Sequence, residues 1–299
     1  HGQAPEGGAD VIKAPSGFDT YWQGVTVETA ALTDGPVEVE ELPLHTNEVS
    51  TAYSVRFSGV ESYPLFAYLT VPNGEGPFPA IMQIPGYGSV VGVPAYERRA
   101  RYVVLALCHR GQRLSNSLYE AAYPGLLTDG LPNASTYRWR EIAADCVRAL
   151  DVLKDRPEAD VSRLAVVGND LAAITAALRP EVGYLVINST LFRGTSSRIT
   201  ELTGYPDQEF ADYVRSYPEH ADTVTDTLAM FDPVAFAPRI EAESLLTCTQ
   251  SHRLLVEPLV DFLAGKAELR INTGRGYLDH GYEDSWLGEH TKDSLTRRR

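Results

Sequence analysis

The chain has 299 residues, of which 43% are hydrophobic and 22% charged, and its formal net charge is −14 at pH 7. This length and composition predict a folded protein with a large apolar core and argue against global disorder. The acidic excess argues against nucleic acid as a partner. No apolar run reaches the roughly 18 residues that a membrane span needs, so no membrane partner is expected either.

Cysteine content and the first residues bear on the cellular compartment. The three cysteines, Cys108, Cys146 and Cys248, are too few and too odd in number for a disulfide framework, so reduced and mostly buried thiols are expected. The opening residues HGQAPEGGAD contain neither a basic segment nor an apolar one. They predict that this sequence carries no signal peptide and that the protein is cytoplasmic.

The N-terminal part of the chain shows two patterns. Residues 1–47 are rich in Gly, Pro and acidic residues and are interpreted as an irregular arm, with an aromatic anchor at residues 18–22. Apolar and polar residues then alternate at 53–57 and again at 65–71, and a Pro-Asn-Gly turn follows at 72–74. These two segments predict a pair of antiparallel strands.

The remainder alternates between short apolar runs and helical segments. The apolar runs lie at 79–84, 102–107, 163–168, 184–188, 244–249 and 267–272. Helical periodicity is strongest at 137–155, and shorter helices are expected at 171–178 and 256–264. Continuous apolar strands that alternate with helices are typical of a doubly wound, mostly parallel α/β sheet with both faces covered.

Residues 191–232 interrupt this alternation. The segment contains no strand pattern and several aromatic residues. It is interpreted as a helical insertion over the carboxyl ends of the strands, where such sheets bind ligands. The sequence therefore predicts a single domain over residues 1–299, made of an arm (1–47), the sheet and this insertion.

The turn after the run at 163–168 is the most informative local motif. Gly168-Asn169-Asp170-Leu171-Ala172 leads from a strand into a helix, in the layout of the Gly-x-Ser-x-Gly nucleophile elbow. The small flanking residues fit that crowded turn, but the central residue is Asp170 and not Ser. An Asp in front of a helix is also a common N-terminal cap, so the motif alone leaves both interpretations open.

Further motifs occur in a fixed order along the chain. They are Gly17–Trp22 (GFDTYW), Pro85–Gly88 (PGYG), Arg110–Gln112 (RGQ), Arg163–Gly168 (RLAVVG), Phe231–Ala237 (FDPVAFA), and His280 with Gly281 and Glu283. In these motifs and their spacing the chain resembles the acetyl xylan esterase and cephalosporin C deacetylase family of α/β-hydrolases. The resemblance covers nearly the whole chain and implies the α/β-hydrolase fold.

The chain departs from this family at two catalytic positions. The family has Gly-x-Ser-Gln-Gly where this chain has Asp170 in the place of the Ser. The family's catalytic acid falls on His252, or on Ser251 if the register shifts by one, whereas the catalytic histidine is retained as His280. The resemblance thus implies that Ser-His-Asp has become Asp170-His280-His252, which excludes an acyl-enzyme on Ser at this position.

The resemblance also assigns supporting roles. The backbone N–H groups of Tyr87 and Leu171 would occupy the oxyanion-hole positions. The motif of Arg110, Gly111 and Gln112 would be scaffold and not catalytic. A small-molecule substrate, no cofactor and a homo-oligomeric assembly are expected.

Several kinds of chemistry remain open for Asp170 and His280. Asp170 could attack a saturated carbon, with His280 activating water to release the product. The two residues could act as general base and acid in an elimination, isomerisation or cyclisation. Asp170, His252 and His280 could form a two-His, one-carboxylate metal cluster, although triad geometry places its members in a line and not around a point. Hydrolysis of an acetyl ester by His280-activated water and a catalytically silent binding protein are the alternatives.

Overall fold

The computed structural model describes residues 14–272 and 280–292, and helices cover both faces of one nine-stranded sheet in this part of the chain. The strands are β1 (Val37–Glu41), β2 (Ser50–Ser58), β3 (Pro64–Pro72), β4 (Phe78–Gln83), β5 (Val103–Cys108), β6 (Ala159–Gly168), β7 (Tyr184–Ile187), β8 (Glu243–Thr249) and β9 (Ala267–Asn272). The α-helices are α1 (Phe18–Ala30), α2 (Tyr96–Arg99), α3 (Arg138–Lys154), α4 (Asp170–Leu178), α5 (Thr195–Arg198), α6 (Gln208–Ser216), α7 (Ala221–Ala229), α8 (Pro233–Phe236), α9 (Arg253–Phe262) and α10 (His280–Thr291). The opening residues 1–13, on which the expectation about a signal peptide rests, lie outside the described residues.

The strands follow the order β1-β2-β3-β5-β4-β6-β7-β8-β9 across the sheet. The pairs β1–β2, β2–β3 and β3–β5 are antiparallel, and the other five pairs are parallel. The chain winds from β4 to β5 on one side and then to β6 on the other, so the strand order reverses beside β4. The predicted doubly wound, mostly parallel sheet is confirmed, and this reversal marks the edge where such sheets bind ligands.

The expected antiparallel pair is confirmed in β2 and β3. Tyr53 lies opposite Leu69, and Phe57 lies opposite Leu65. Val55 and Phe57 are buried whereas Arg56 between them is exposed, which explains the alternation in the sequence.

The central parallel strands are mainly apolar because they are covered on both faces, whereas the edge strand β9 exposes Glu268 and Arg270. Val166 belongs to the large apolar cluster beneath α3 and α4, whereas Val167 belongs to the cluster that Trp286 and Leu287 of α10 cover. The six predicted runs coincide with β4 to β9, apart from small shifts of their ends. A strand with no polar face needs two covering layers, so this pattern was sufficient to predict the doubly wound arrangement.

The interpretation of residues 1–47 as irregular is wrong for the described residues 14–47. Residues 18–30 form α1, and residues 37–41 form the edge strand β1. Phe18, Trp22, Val25 and Thr29 are buried at helical spacing along α1, and Gly17 precedes the helix in a left-handed conformation. The aromatic anchor at residues 18–22 was predicted from the sequence, but the stripe of buried residues that continues along the helix to Thr29 was not.

Residues 191–232 contain the helices α5, α6 and α7 and no strand. Glu209 of α6 accepts a hydrogen bond from the Tyr87 hydroxyl at 2.6 Å and another from the Gly125 backbone N–H at 2.7 Å. Tyr87 follows β4, so the segment is tied to loops at the carboxyl ends of the central strands.

None of the helices in residues 14–272 and 280–292 has the length and apolar character that a membrane crossing requires.

Candidate functional site

A cavity of about 330 Å³ opens where the strand order reverses. We call it the central cavity, and its walls come from the ends of β4, β6 and β7, the loop after β4, and the start of α10. These walls include Ile84, Pro85, Ser89, Val167, Ser189 and His280. This is the position in the fold at which a substrate is expected.

His280 stands at the wall of the central cavity and is oriented by a carboxylate. It is the first residue of α10, and its side chain is 62% exposed. Its Nδ1 lies 3.3 Å from Oε2 of Glu283, one helical turn further on. Glu283 has no exposed surface, and its Oε2 also lies 3.4 Å from a guanidinium nitrogen of Arg98. A carboxylate at Nδ1 fixes the tautomer in which Nε2 can accept a proton.

Asp170 is fully buried and does not line the central cavity. Its Oδ1 accepts a hydrogen bond from the Thr190 hydroxyl at 2.7 Å. Its Oδ2 accepts from the backbone N–H groups of Leu191 at 2.5 Å and Phe192 at 2.8 Å. The expectation that a turn presents Asp170 to the substrate is therefore wrong, because this carboxylate holds the loop after β7.

The turn before α4 explains this placement. A nucleophile elbow is a strained turn, but no residue from Gly168 to Ala172 has a positive φ, and Asn169 has an extended conformation with φ −94°. Burial raises the pKa of Asp170 to about 7, and its three hydrogen bonds oppose that shift. The side chain therefore points into the protein and not into the cleft.

The predicted oxyanion donor Leu171 is already engaged. Its backbone N–H donates to Oδ1 of Asn169 at 2.9 Å, so Asn169 is the side chain that caps α4. The expectation that this N–H stabilises an oxyanion is wrong for this conformation. Tyr87 lies in the loop after β4, and its hydroxyl donates to Glu209. The role of the Tyr87 backbone N–H stays a prediction.

His252 lies in a different cavity from His280, contrary to the expected triad. Its Nδ1 is 2.8 Å from the Thr249 hydroxyl and 3.4 Å from the Ser251 hydroxyl. The acidic partner of His280 is thus Glu283, which the motif comparison noted only beside the histidine. The predicted cluster of Asp170, His252 and His280 does not form, and the part of the chain that the structure describes holds no group of three metal-ligating side chains.

The second cavity, which we call the lateral cavity, lies beyond the ends of β7, β8 and β9 and beside α9. Its volume is about 190 Å³, and its walls include Thr190, Thr247, Cys248, His252, Val256 and Asn272. Within the described residues, Thr247 Oγ1 and both side-chain amide atoms of Asn272 are buried without a hydrogen-bond partner. Sequence reasoning missed both residues, although a polar residue within or at the end of an apolar strand is a usable signal.

Arg110, Gly111 and Gln112 lie behind the site. Arg110 is buried and binds Asp145 of α3 with two guanidinium nitrogens, at 2.8 and 2.9 Å. Gly111 has φ +83°, where an added Cβ would come within 2.6 Å of the Tyr119 ring. Gln112 accepts from the backbone N–H of His109. These contacts connect β5 to α3 and leave the motif no contact with His280 among the described residues.

Comparison with known proteins places these features in a family context. The family model described as acetyl xylan esterase (AXE1) matches residues 10–264. The chain is 24% identical over 267 residues to the acetyl esterase Axe7A of Xylanibacter ruminicola, covering 82% of this chain and 58% of that protein. The chain thus spans less than two thirds of the length of this relative.

Solved structures show the same fold. The chain matches an acetyl xylan esterase from Paenibacillus sp. R4 with a TM-score of 0.82 and 24% identity, over 94% of this chain and 95% of that one. Acetyl xylan esterase 1 from a Thermoanaerobacterium species gives a TM-score of 0.79 and 22% identity, over 93% and 94% of the two chains. The sheet described above is therefore that of an α/β-hydrolase.

Proposed function

The chain belongs to the acetyl xylan esterase family, within the hydrolase superfamily, and from this premise we propose that it hydrolyses a small ester with water activated by His280. The observation that carries the proposal is the contact between His280 Nδ1 and the buried carboxylate of Glu283, at the wall of the central cavity. An imidazole held in one tautomer beside a cavity is the arrangement that general base catalysis needs.

The reaction follows from this pair. Nε2 of His280 takes a proton from water, and the resulting hydroxide attacks the ester carbonyl carbon to give a tetrahedral intermediate. The imidazolium then returns the proton to the leaving alkoxide as the C–O bond breaks, so an acid and an alcohol are released. Glu283 stabilises the imidazolium through Oε2, and Arg98 contacts the same oxygen of that buried carboxylate.

Asp170 takes no chemical part in this proposal. A nucleophile or proton acceptor needs a free lone pair facing the substrate, but each carboxylate oxygen of Asp170 already accepts a hydrogen bond from the loop. Attack by Asp170 on a saturated carbon, or an elimination shared between Asp170 and His280, would first require that loop to move. The proposed reaction needs no such movement and forms no covalent intermediate on residue 170.

The first substrates to test are short acyl esters. The relative from Xylanibacter ruminicola is named an acetyl esterase, and the central cavity of about 330 Å³ has the size expected for a small-molecule site. We therefore extend the proposal to acetyl esters of small alcohols.

The test is hydrolysis of p-nitrophenyl acetate by the wild type and by two variants, His280→Gln and Glu283→Gln. Loss of a general base costs about 10²- to 10⁴-fold in kcat, so His280→Gln should fall in that range. Glu283→Gln should retain part of the activity because it removes the orienting charge and not the base. His252→Gln is the matched control, since it changes a histidine of the lateral cavity, and it should stay within about twofold.

Two outcomes would contradict the proposal. Retained activity in His280→Gln would show that another group activates the nucleophile. Inactivation by a serine-directed fluorophosphonate would show a nucleophilic serine, and therefore a route through an acyl-enzyme. Because Ser189 lines the central cavity together with His280, Ser189→Ala would then identify the attacked hydroxyl.

A silent binding protein is the second candidate. It is favoured by the hydrogen bond from the Leu171 N–H to Asn169, which occupies a donor that esterases of this fold use for the oxyanion. A wild type that hydrolyses short acyl esters no faster than His280→Gln would support it.

A further inference from the structure

The lateral cavity contains polar groups that no described part of the protein satisfies. Thr247 is 2% exposed and Asn272 is 5% exposed. In the parallel pair β8–β9, Thr249 lies opposite Asn272, and Thr247 precedes Thr249 by two residues. Thr247 and Asn272 therefore stand on the same face of adjacent strands. The Thr247 hydroxyl and both atoms of the Asn272 amide group have no hydrogen-bond partner within the described residues.

Unpaired buried polar atoms are costly, so their placement beside a cavity indicates an occupant that pairs with them. Apolar side chains, among them Ile187, Val256 and Leu259, form another part of the same wall. A cavity lined in this way suits a ligand with an apolar body and a polar end. Water alone would satisfy the amide but would leave the apolar wall hydrated.

The Asn272 side chain indicates which polar group the ligand carries. An amide side chain offers donors on Nδ2 and an acceptor on Oδ1, and a second amide matches both at once. A carboxylate would instead face Oδ1 with a second acceptor. Arg193 also lines this cavity, and its Nε is a further buried atom without a hydrogen-bond partner among the described residues, but Asp232 lies 3.4 Å from its guanidinium group and balances its charge. These contacts favour a neutral ligand over an anion.

We propose that the lateral cavity binds a small, mainly apolar molecule with a primary carboxamide, which pairs with Asn272 and reaches Thr247. The volume of about 190 Å³ supports this size, since an apolar cavity of about 150 Å³ accepts benzene. A benzamide-sized ligand therefore fits. His280 does not line this cavity, although Asn188 and Ser189 line both cavities, and the proposal does not depend on the proposed ester hydrolysis.

The experiment is isothermal titration of the full chain with benzamide, with benzoate and toluene as comparison ligands. Benzamide should bind at least about tenfold more tightly than benzoate, which corresponds to the loss of one good hydrogen-bond pair. In Asn272→Leu, benzamide binding should fall at least about tenfold, while toluene binding should hold or improve. His280→Gln is the control, and it should bind benzamide like the wild type.

The melting temperatures of the variants test whether the buried polar groups are unpaired in the free protein. Replacing an unpaired buried amide by an apolar group removes a desolvation cost, so Asn272→Leu should melt no lower than the wild type. Should Asn272→Leu fail to fold, the isosteric Thr247→Val carries the same test and should weaken benzamide binding several-fold. Absence of benzamide binding, or equal binding of benzamide by the wild type and the variants, would overturn the proposal. So would tighter binding of benzoate than of benzamide.

Discussion

Asp170 illustrates how one carboxylate can serve the structure at a position where the fold usually places chemistry. It is the first residue of α4, yet its hydrogen bonds run to the loop after β7 and fix residues 190–192. A serine hydroxyl is too short and has too few lone pairs to make all three contacts. Asp170 therefore has a structural role that a serine at this position could not fill.

The raised pKa of Asp170 predicts a pH dependence of stability. Because its folded-state pKa is about 7 and its ordinary value is 3.8, the folded state binds more protons than the unfolded state between these values. The free energy of unfolding should therefore fall as pH rises from about 4 to about 7. The fall contributed by Asp170 is at most about 4 kcal/mol, since each pKa unit is worth about 1.4 kcal/mol.

Urea denaturation between pH 4.5 and 7.5 measures this slope. Asp170→Asn keeps an oxygen for the two backbone N–H groups and cannot titrate, so its slope should be shallower than that of the wild type. Burial also raises the pKa of Asp207, to about 6, and this residue contributes to both proteins alike. Identical slopes in the two proteins would refute the assignment to Asp170.

At the scale of elements, the first turn of α10 is the feature on which the proposed chemistry depends. His280 and Glu283 are three residues apart, so any helix that begins at His280 brings them to one face. The helix alone does not make Glu283 a suitable partner. Its burial, and the guanidinium of Arg98 from α2 against it, hold the carboxylate in place beneath the imidazole.

The junction of β5 and α3 is a second place where the fold depends on one pair of residues. Asp145→Ala would remove the carboxylate that binds the buried Arg110 twice, and would leave the part-buried Glu141 as its remaining acidic partner. Removing one partner of a buried ion pair costs about 3–5 kcal/mol, so the free energy of unfolding should fall by that amount.

Equilibrium urea denaturation monitors this loss, and Glu28→Ala is the matched control. Glu28 binds Arg140 of the same helix with two hydrogen bonds, but its side chain is 43% exposed. An exposed pair of this kind contributes about 0–1 kcal/mol. Equal losses for the two variants would argue against a structural role for the Arg110–Asp145 pair.

At the scale of the whole molecule, α1 joins the beginning of the chain to its later part. Trp22 is fully buried, its indole N–H donates to the Met230 carbonyl at 3.0 Å, and its ring lies against Phe231 and Phe236. These contacts span more than 200 residues of sequence. They make the N-terminal helix part of the main core and not an appendage.

Trp22→Ala should therefore destabilise the whole fold. Replacing a buried Trp by Ala costs about 3–5 kcal/mol, which should appear as one cooperative shift in a urea transition of the full chain. Val27→Ala on the same helix is the control, because Val27 is 60% exposed and should change stability by less than about 0.5 kcal/mol. A loss confined to helix α1, with the main transition unmoved, would show that α1 folds separately.

The sequence by itself determined the sheet and the family. Apolar runs at 79–84, 163–168 and 184–188 predicted parallel strands because burial on both faces leaves no room for polar alternation, and the spaced motifs around them carried the family resemblance. It also predicted the antiparallel pair β2–β3, and it indicated His280 as a candidate site residue. These features depend on local periodicity and on short motifs, which a single chain displays directly.

Only the tertiary structure decided what the candidate residues contact. The direction of the Asp170 side chain depends on backbone N–H groups 21 and 22 residues further along the chain. Every residue except proline has such a group, so the residue types at those positions do not predict the contact. The separation of His252 from His280 and the unpaired amide of Asn272 likewise depend on how β8, β9 and α10 pack. Hydrogen bonds between distant segments are set by packing, and the same motif can therefore present a side chain to substrate or bury it.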